Sequence, residues 1–179
     1  MIRLIVLALV LVLAGCAGTG VYGPGLYDAG RYSLALQSRW SRIGAAADGD
    51  LATAQLTRDG LFLNRVILVS ELRPGGTLFT PGFDHPPRFD PAAGEAGIDT
   101  FLTGSIERLD YQGLEITKRE TDEDWTVRRL AARRPDALAI SGLAWSRVQD
   151  GRLDLVIYLA PDEHYFERDR AEVEQMLRR

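Results

Sequence analysis

Residues 31–179 predict an α+β domain: one antiparallel β-sheet flanked by helices, with a C-terminal helix packed on the sheet. Two stretches predict the sheet. Runs 51–57 and 61–72 flank Asp59-Gly60, and runs 138–148 and 153–160 flank Asp150-Gly151. Asp-Gly suits a tight type I′ hairpin turn, because both central residues need positive φ. A third stretch predicts the helix. After Pro161, residues 162–179 put Phe166, Val173 and Leu177 on one side, with Met176 beside them. Acidic residues come early and Arg178-Arg179 late, which complements the helix dipole.

The chain begins with a different kind of segment. Arg3 is followed by an apolar run without charge, and Leu13-Ala14-Gly15-Cys16 closes it. The run is too short to span a bilayer and reads as a signal peptide, residues 1–15. The closing four residues resemble the bacterial lipobox. The resemblance to bacterial lipoproteins implies a diacylglycerol on the Cys16 thiol, cleavage before Cys16 and acylation of the new amine, palmitate being a typical chain. Two or three acyl chains anchor stably where one binds reversibly. Ala17 stands where an aspartate would signal inner-membrane retention, so the expected location is the periplasmic face of the outer membrane. The alternative is a plain signal peptide with a chance cysteine. Cys16 is the only cysteine, so the domain folds without an internal disulfide or a cysteine metal site.

Residues 16–30 hold five glycines and Pro24 and read as a flexible tether, although Val21, Tyr22, Leu26 and Tyr27 are of a kind that docks on a domain. Residues 32–36 predict a first strand. Run 61–72 is apolar on both faces, as in a strand covered on both sides. Residues 77–79 predict a short return strand after a turn at 73–76. Residues 80–96 have no periodicity and hold four of the eight prolines. Such a loop either carries function or crosses the sheet and tucks its phenylalanines into the core. Asp99 predicts the cap of a helix over 99–110 ended by Gly113, with Leu102, Ile106 and Leu109 on one face. Residues 114–117 predict a strand, 118–124 a charged turn and 125–130 a further strand.

Arg3 is the only charge in residues 1–15, so the chain from Cys16 carries 20 basic and 25 acidic residues. That balance offers no electrostatic footprint for nucleic acid. Lys118 is the sole lysine. The excess of arginine reads as genome composition or as phosphate or carboxylate recognition.

Chemistry-bearing motifs are few. No serine sits in a Gly-x-Ser-x-Gly elbow, and there is no phosphate-cradling glycine loop or His-Glu-x-x-His pair. No cofactor is expected. A metal site would have to combine His85, Asp84 and Asp90 with His164. Arg128, Arg129, Arg133 and Arg134 lie near the acidic run 120–124 and read as a phosphate site or, more simply, as a self-paired surface. Trp40, Trp125 and Trp145 read as core or as a stacking platform. Phe83, His85 and Phe89 in the proline-rich loop are the candidate partner-binding residues.

Two stretches carry a further resemblance: TRDGLFLNRVILVSEL at 57–72 and LDLVIYLAPDEHYFERDRAEVEQML at 153–177. In element order the chain resembles the PsbP-like family. That resemblance implies an antiparallel sheet flanked by helices and a role as an assembly factor or protein-binding module, and it carries over no functional residues. The expected function is a lipid-anchored, non-enzymatic binding or assembly module for another envelope component. An envelope hydrolase with a site near His85 is the alternative, and a small-ligand carrier using the sheet face is a third reading.

Overall fold

The computed structural model describes residues 20–45, 52–78 and 84–177. Among them the chain forms ten strands and two α-helices. In order these are β1 (Gly20–Tyr22), β2 (Gly25–Asp28), β3 (Ser33–Leu36), β4 (Trp40–Ala45), β5 (Ala52–Thr57), β6 (Arg65–Leu72), α1 (Gly94–Glu107), β7 (Gln112–Asp122), β8 (Trp125–Arg133), β9 (Ala139–Gln149), β10 (Arg152–Pro161) and α2 (Glu167–Gln175). Eight strands make one antiparallel sheet in the order β1-β4-β5-β6-β10-β9-β8-β7, and β2 pairs with β3 apart from it.

Side chains alternate across a strand, so a central strand needs two apolar sets. β10 has them. Leu153, Leu155, Ile157 and Leu159 join Ile67 and Val69 under α1, while Val156, Tyr158 and Ala160 join Val66 and Leu68 on the other face. The first face is closed by α1, through Ile98, Phe101, Leu102 and Ile106, and by Leu78 and Phe89. The second is closed by Tyr27, Tyr32, Leu34 and Leu36 of the small hairpin, and by Phe166, Val173 and Met176 around α2.

This architecture corrects the expected helix-flanked α+β sandwich and, with it, the fold that the PsbP-like resemblance implies. The molecule is mostly one large antiparallel sheet. Its helices are only 14 and nine residues long, and a hairpin provides much of the second cover. Segment 118–124, expected as a charged turn, is mostly strand. β7 runs to Asp122, and only Glu123-Asp124 turns, with Glu123 at φ 53°. Charges on an edge strand obscure its alternation and guard it against pairing with another chain.

The expected tether is also partly fold. Gly20–Tyr22 pairs with Trp40–Arg42, and Gly25–Asp28 pairs with Ser33–Leu36. Gly23 lies at φ 92°, and a Cβ there would come within 2.2 Å of the Ser38 carbonyl oxygen. Glycine at this point serves a crossing of two chain segments, not flexibility.

The four strands expected in the sheet do stand side by side, as β5-β6-β10-β9. Asp150 and Gly151 both have positive φ (53° and 71°) and close the β9–β10 hairpin as expected. Asp59-Gly60 does not make the matching turn. Leu56 pairs with Val66, so the connection is longer. Asn64 organises it: its Oδ1 accepts from Thr57 Oγ1 (2.8 Å) and from the backbone N–H groups of Arg58 (2.9 Å) and Asp59 (3.2 Å). The middle helix starts at Gly94 rather than Asp99. Asp90 caps the preceding turn Pro91–Ala93 by accepting from the Ala92 N–H at 2.9 Å. Asp99 lies inside the helix, where it receives Arg128 Nε at 2.5 Å and Arg119. The final helical segment opens with one wide turn, Asp162–Phe166, before α2.

Candidate functional site

A cleft of about 320 Å³ opens on the second face of the sheet, between β7, β8 and β9 and Glu174 of α2. Its floor follows from strand register. Lys118, Arg129 and Leu143 stand opposite one another across β7, β8 and β9, and Glu120, Val127 and Trp145 form the next row. Partners directly opposite share a face. Each row continues inward to Tyr158 and Val156 of the core. The register shift between Ile116 and Lys118 matters here. Ile116 packs against the core beneath α1, and the bulge turns Lys118 to the cleft side beside Arg129.

The cleft therefore grades from a largely covered apolar floor of Val127, Leu143 and Trp145 to a charged rim. Lys118 pairs with Glu120, and Asp122, Thr121 and Glu174 complete the walls. Val127 and Trp145 offer apolar contact, Lys118 and Arg129 offer donors, and the acids offer acceptors. The row was illegible in the sequence, because it needs the pairing of three strands and a bulge that only the fold reveals.

The loop residues singled out above lie elsewhere. Phe83 is outside the described residues, as is Cys16. Phe89 is not an exposed anchor. It is fully buried in the core beneath α1, with its ring centroid 6.1 Å from that of Phe101. Its N–H donates to Gly76 O at 2.9 Å, and its carbonyl accepts from the Gly75 N–H at 2.7 Å. His85 is exposed at φ 51°, and its carbonyl accepts from Arg108 Nη2 at 2.8 Å. The sheet separates this loop from the cleft, since Phe89 packs on one face and Trp145 on the other.

His164 lies in the turn before α2 with its ring edge-on to Tyr165 at 5.1 Å. Among the described residues no three of His, Cys, Asp and Glu are grouped to hold a metal ion. The three tryptophans belong to the second core rather than to a shared platform. Trp40 donates from Nε1 to Glu172 at 3.0 Å, and Arg147 stacks 4.7 Å over Trp125.

The arginine cluster is split by strand alternation. Arg129 faces the cleft. Arg128 is buried on the α1 side, donating to Asp99, to Glu95 and to Ser146 Oγ at 2.7 Å. It pairs with the helix, not with the acidic run 120–124. Burial pulls its pKa down, and Glu95 opposes that. Neither a protein-family model nor a curated protein matches this chain.

Proposed function

We propose that this protein is an envelope lipoprotein, held by an acylated Cys16 at the periplasmic face of the outer membrane, and that it is a binding or assembly module for another envelope component. The observation that carries the reading is Leu13-Ala14-Gly15-Cys16 at the end of a charge-free apolar run. β1 begins at Gly20, so the domain starts four residues after the cysteine. At roughly 3.5 Å per extended residue, that reach is about 14 Å. An anchored domain of this kind stands against the bilayer instead of searching far from it. The exposed side chains of Val21 and Leu26 lie next to that point in the chain and suit a headgroup boundary. No described helix is long and apolar enough to cross a membrane, so on this reading the lipid does the anchoring.

The cleft supports the binding half of the proposal. An apolar floor inside a polar rim is the anatomy of a protein-recognition surface. Photo-crosslinking in intact cells from position 120 in the cleft, with position 85 as a comparison, tests it. The expected result is one reproducible protein adduct from 120, lost when Lys118 and Arg129 are both changed to Glu. Turnover of an envelope substrate by the purified protein, abolished by His85→Ala, would replace this reading with an enzyme.

A further inference from the structure

Arg65 opens β6 in a row where the next members, Ile67 and Val69, are core residues. Its cross-strand partner is Leu159. It is only 9% exposed, and burial pulls its pKa down. An arginine in such a place ordinarily has a carboxylate, as Arg128 does. Arg65 has none: no described carboxylate lies within ion-pairing distance, and its Nε is sealed from solvent without a hydrogen-bond partner. A buried cation left this way is costly to the fold. An apolar residue would serve packing better.

The guanidinium lines a cleft of about 220 Å³ where three chain segments meet: Phe62 before β6, Leu109 and Tyr111 after α1, and Arg134 with Pro135 after β8. Phe62 is 73% exposed. Arg134 stacks 5.5 Å over its ring and donates from Nη1 to its carbonyl at 3.2 Å. Arg134 is already neutralised by Asp136 at 3.1 Å, and Asp110 also borders the cleft. Of the two arginines, Arg65 is thus the one that makes no ion pair among the described residues. Burial raises the Tyr111 phenol above its ordinary pKa, so it stays a neutral hydroxyl near that charge.

We propose that this cleft binds a small organic monoanion, a carboxylate seated on Arg65 and Tyr111 with an apolar or aromatic body against Phe62, Leu109 and Pro135. The two arginines and two aspartates of the lining sum to no net charge, which favours a monoanion over a phosphate dianion. A cavity of roughly 150 Å³ holds benzene, so this one has room for a ring and a short acid arm.

The test uses the full-length protein in an uncharged detergent. 3-Phenylpropionate, its neutral amide and inorganic phosphate are titrated by calorimetry and followed by melting temperature. The carboxylate is expected to bind and raise the melting temperature, the amide and phosphate to do neither. Arg65→Leu should weaken the carboxylate about tenfold or more, the worth of a charged hydrogen bond, while leaving the melting temperature unchanged or higher. Phe62→Ser, at an exposed position, should weaken it several-fold and leave the fold intact. Equal binding of acid and amide, tighter binding of phosphate, or unchanged affinity in both variants overturns the proposal. So does an Arg65→Leu chain that fails to fold, since Arg65 would then serve the structure.

Discussion

Asp169→Ala is expected to destabilise the protein by about 3 kcal/mol, the lower end of the cost of removing one partner from a buried ion pair. The carboxylate is fully buried between α2 and the β5–β6 connection. It accepts from Arg58 Nη1 at 3.0 Å, Asn64 Nδ2 at 2.9 Å, and Arg168 Nε and Nη2 at 2.7 and 2.8 Å. Arg58 and Arg168 are partly exposed and recover hydration when the acid is lost, which holds the figure down. Asn64 is buried and does not. For a chain of this size, about 3 kcal/mol is a fall of roughly 6–12 °C in melting temperature. Asp169→Asn should cost less. Urea denaturation of both variants checks the order, and a loss under 1 kcal/mol in the alanine variant would mean a solvent-screened pair.

The same network sets the acid limit of stability. Burial alone would raise the Glu172 carboxyl. Hydrogen bonds from Trp40 and Ser38, and the Arg58 charge, outweigh it and hold the pKa below the ordinary 4.5. Asp59 is lowered in the same sense, its burial outweighed by Arg168 and Asn64. A carboxylate with a depressed folded pKa adds stability that is complete above its unfolded pKa and is lost as pH falls through the folded value. Stability should therefore decline below about pH 4.5, and Glu172→Gln should make that decline shallower.

Phe89→Ala is expected to cost about 3–5 kcal/mol, as for other large aromatic truncations in a core. The ring closes the layer beneath α1 against Phe101, and the backbone at Phe89 is bonded to Gly75 and Gly76. A steep drop in melting temperature is the expected measurement. A melting temperature near that of the parent chain would mean that the ring is available to a partner after all.

Much of the sheet's centre was legible because its signals are local. β10 alternates Leu153, Leu155, Ile157 and Leu159 beside a two-residue Asp-Gly turn, and α2 follows at once with Val173 on its buried side. The edges were not legible. On β7, Lys118, Arg119, Glu120 and Asp122 face solvent or other charges and show no apolar period. Between and within β1 and β2, the positive-φ glycines Gly23 and Gly25 resemble linker glycines. The capping role assigned to Asp99 failed because two arginines, Arg119 and Arg128, recruit it within the helix. The clefts depend on residues far apart in the chain, such as Arg65, Tyr111 and Arg134, which no spacing rule connects.

The central claim is that lipid on Cys16 holds this domain at a membrane. Mass spectrometry of the N-terminal peptide from protein extracted from cell membranes tests it most directly. The account predicts a chain that starts at Cys16 and carries diacylglyceryl and amide-linked acyl groups, and it predicts an unprocessed precursor when Cys16→Ser is expressed. An unmodified Cys16 in the membrane fraction, or normal processing of the serine variant, would contradict it.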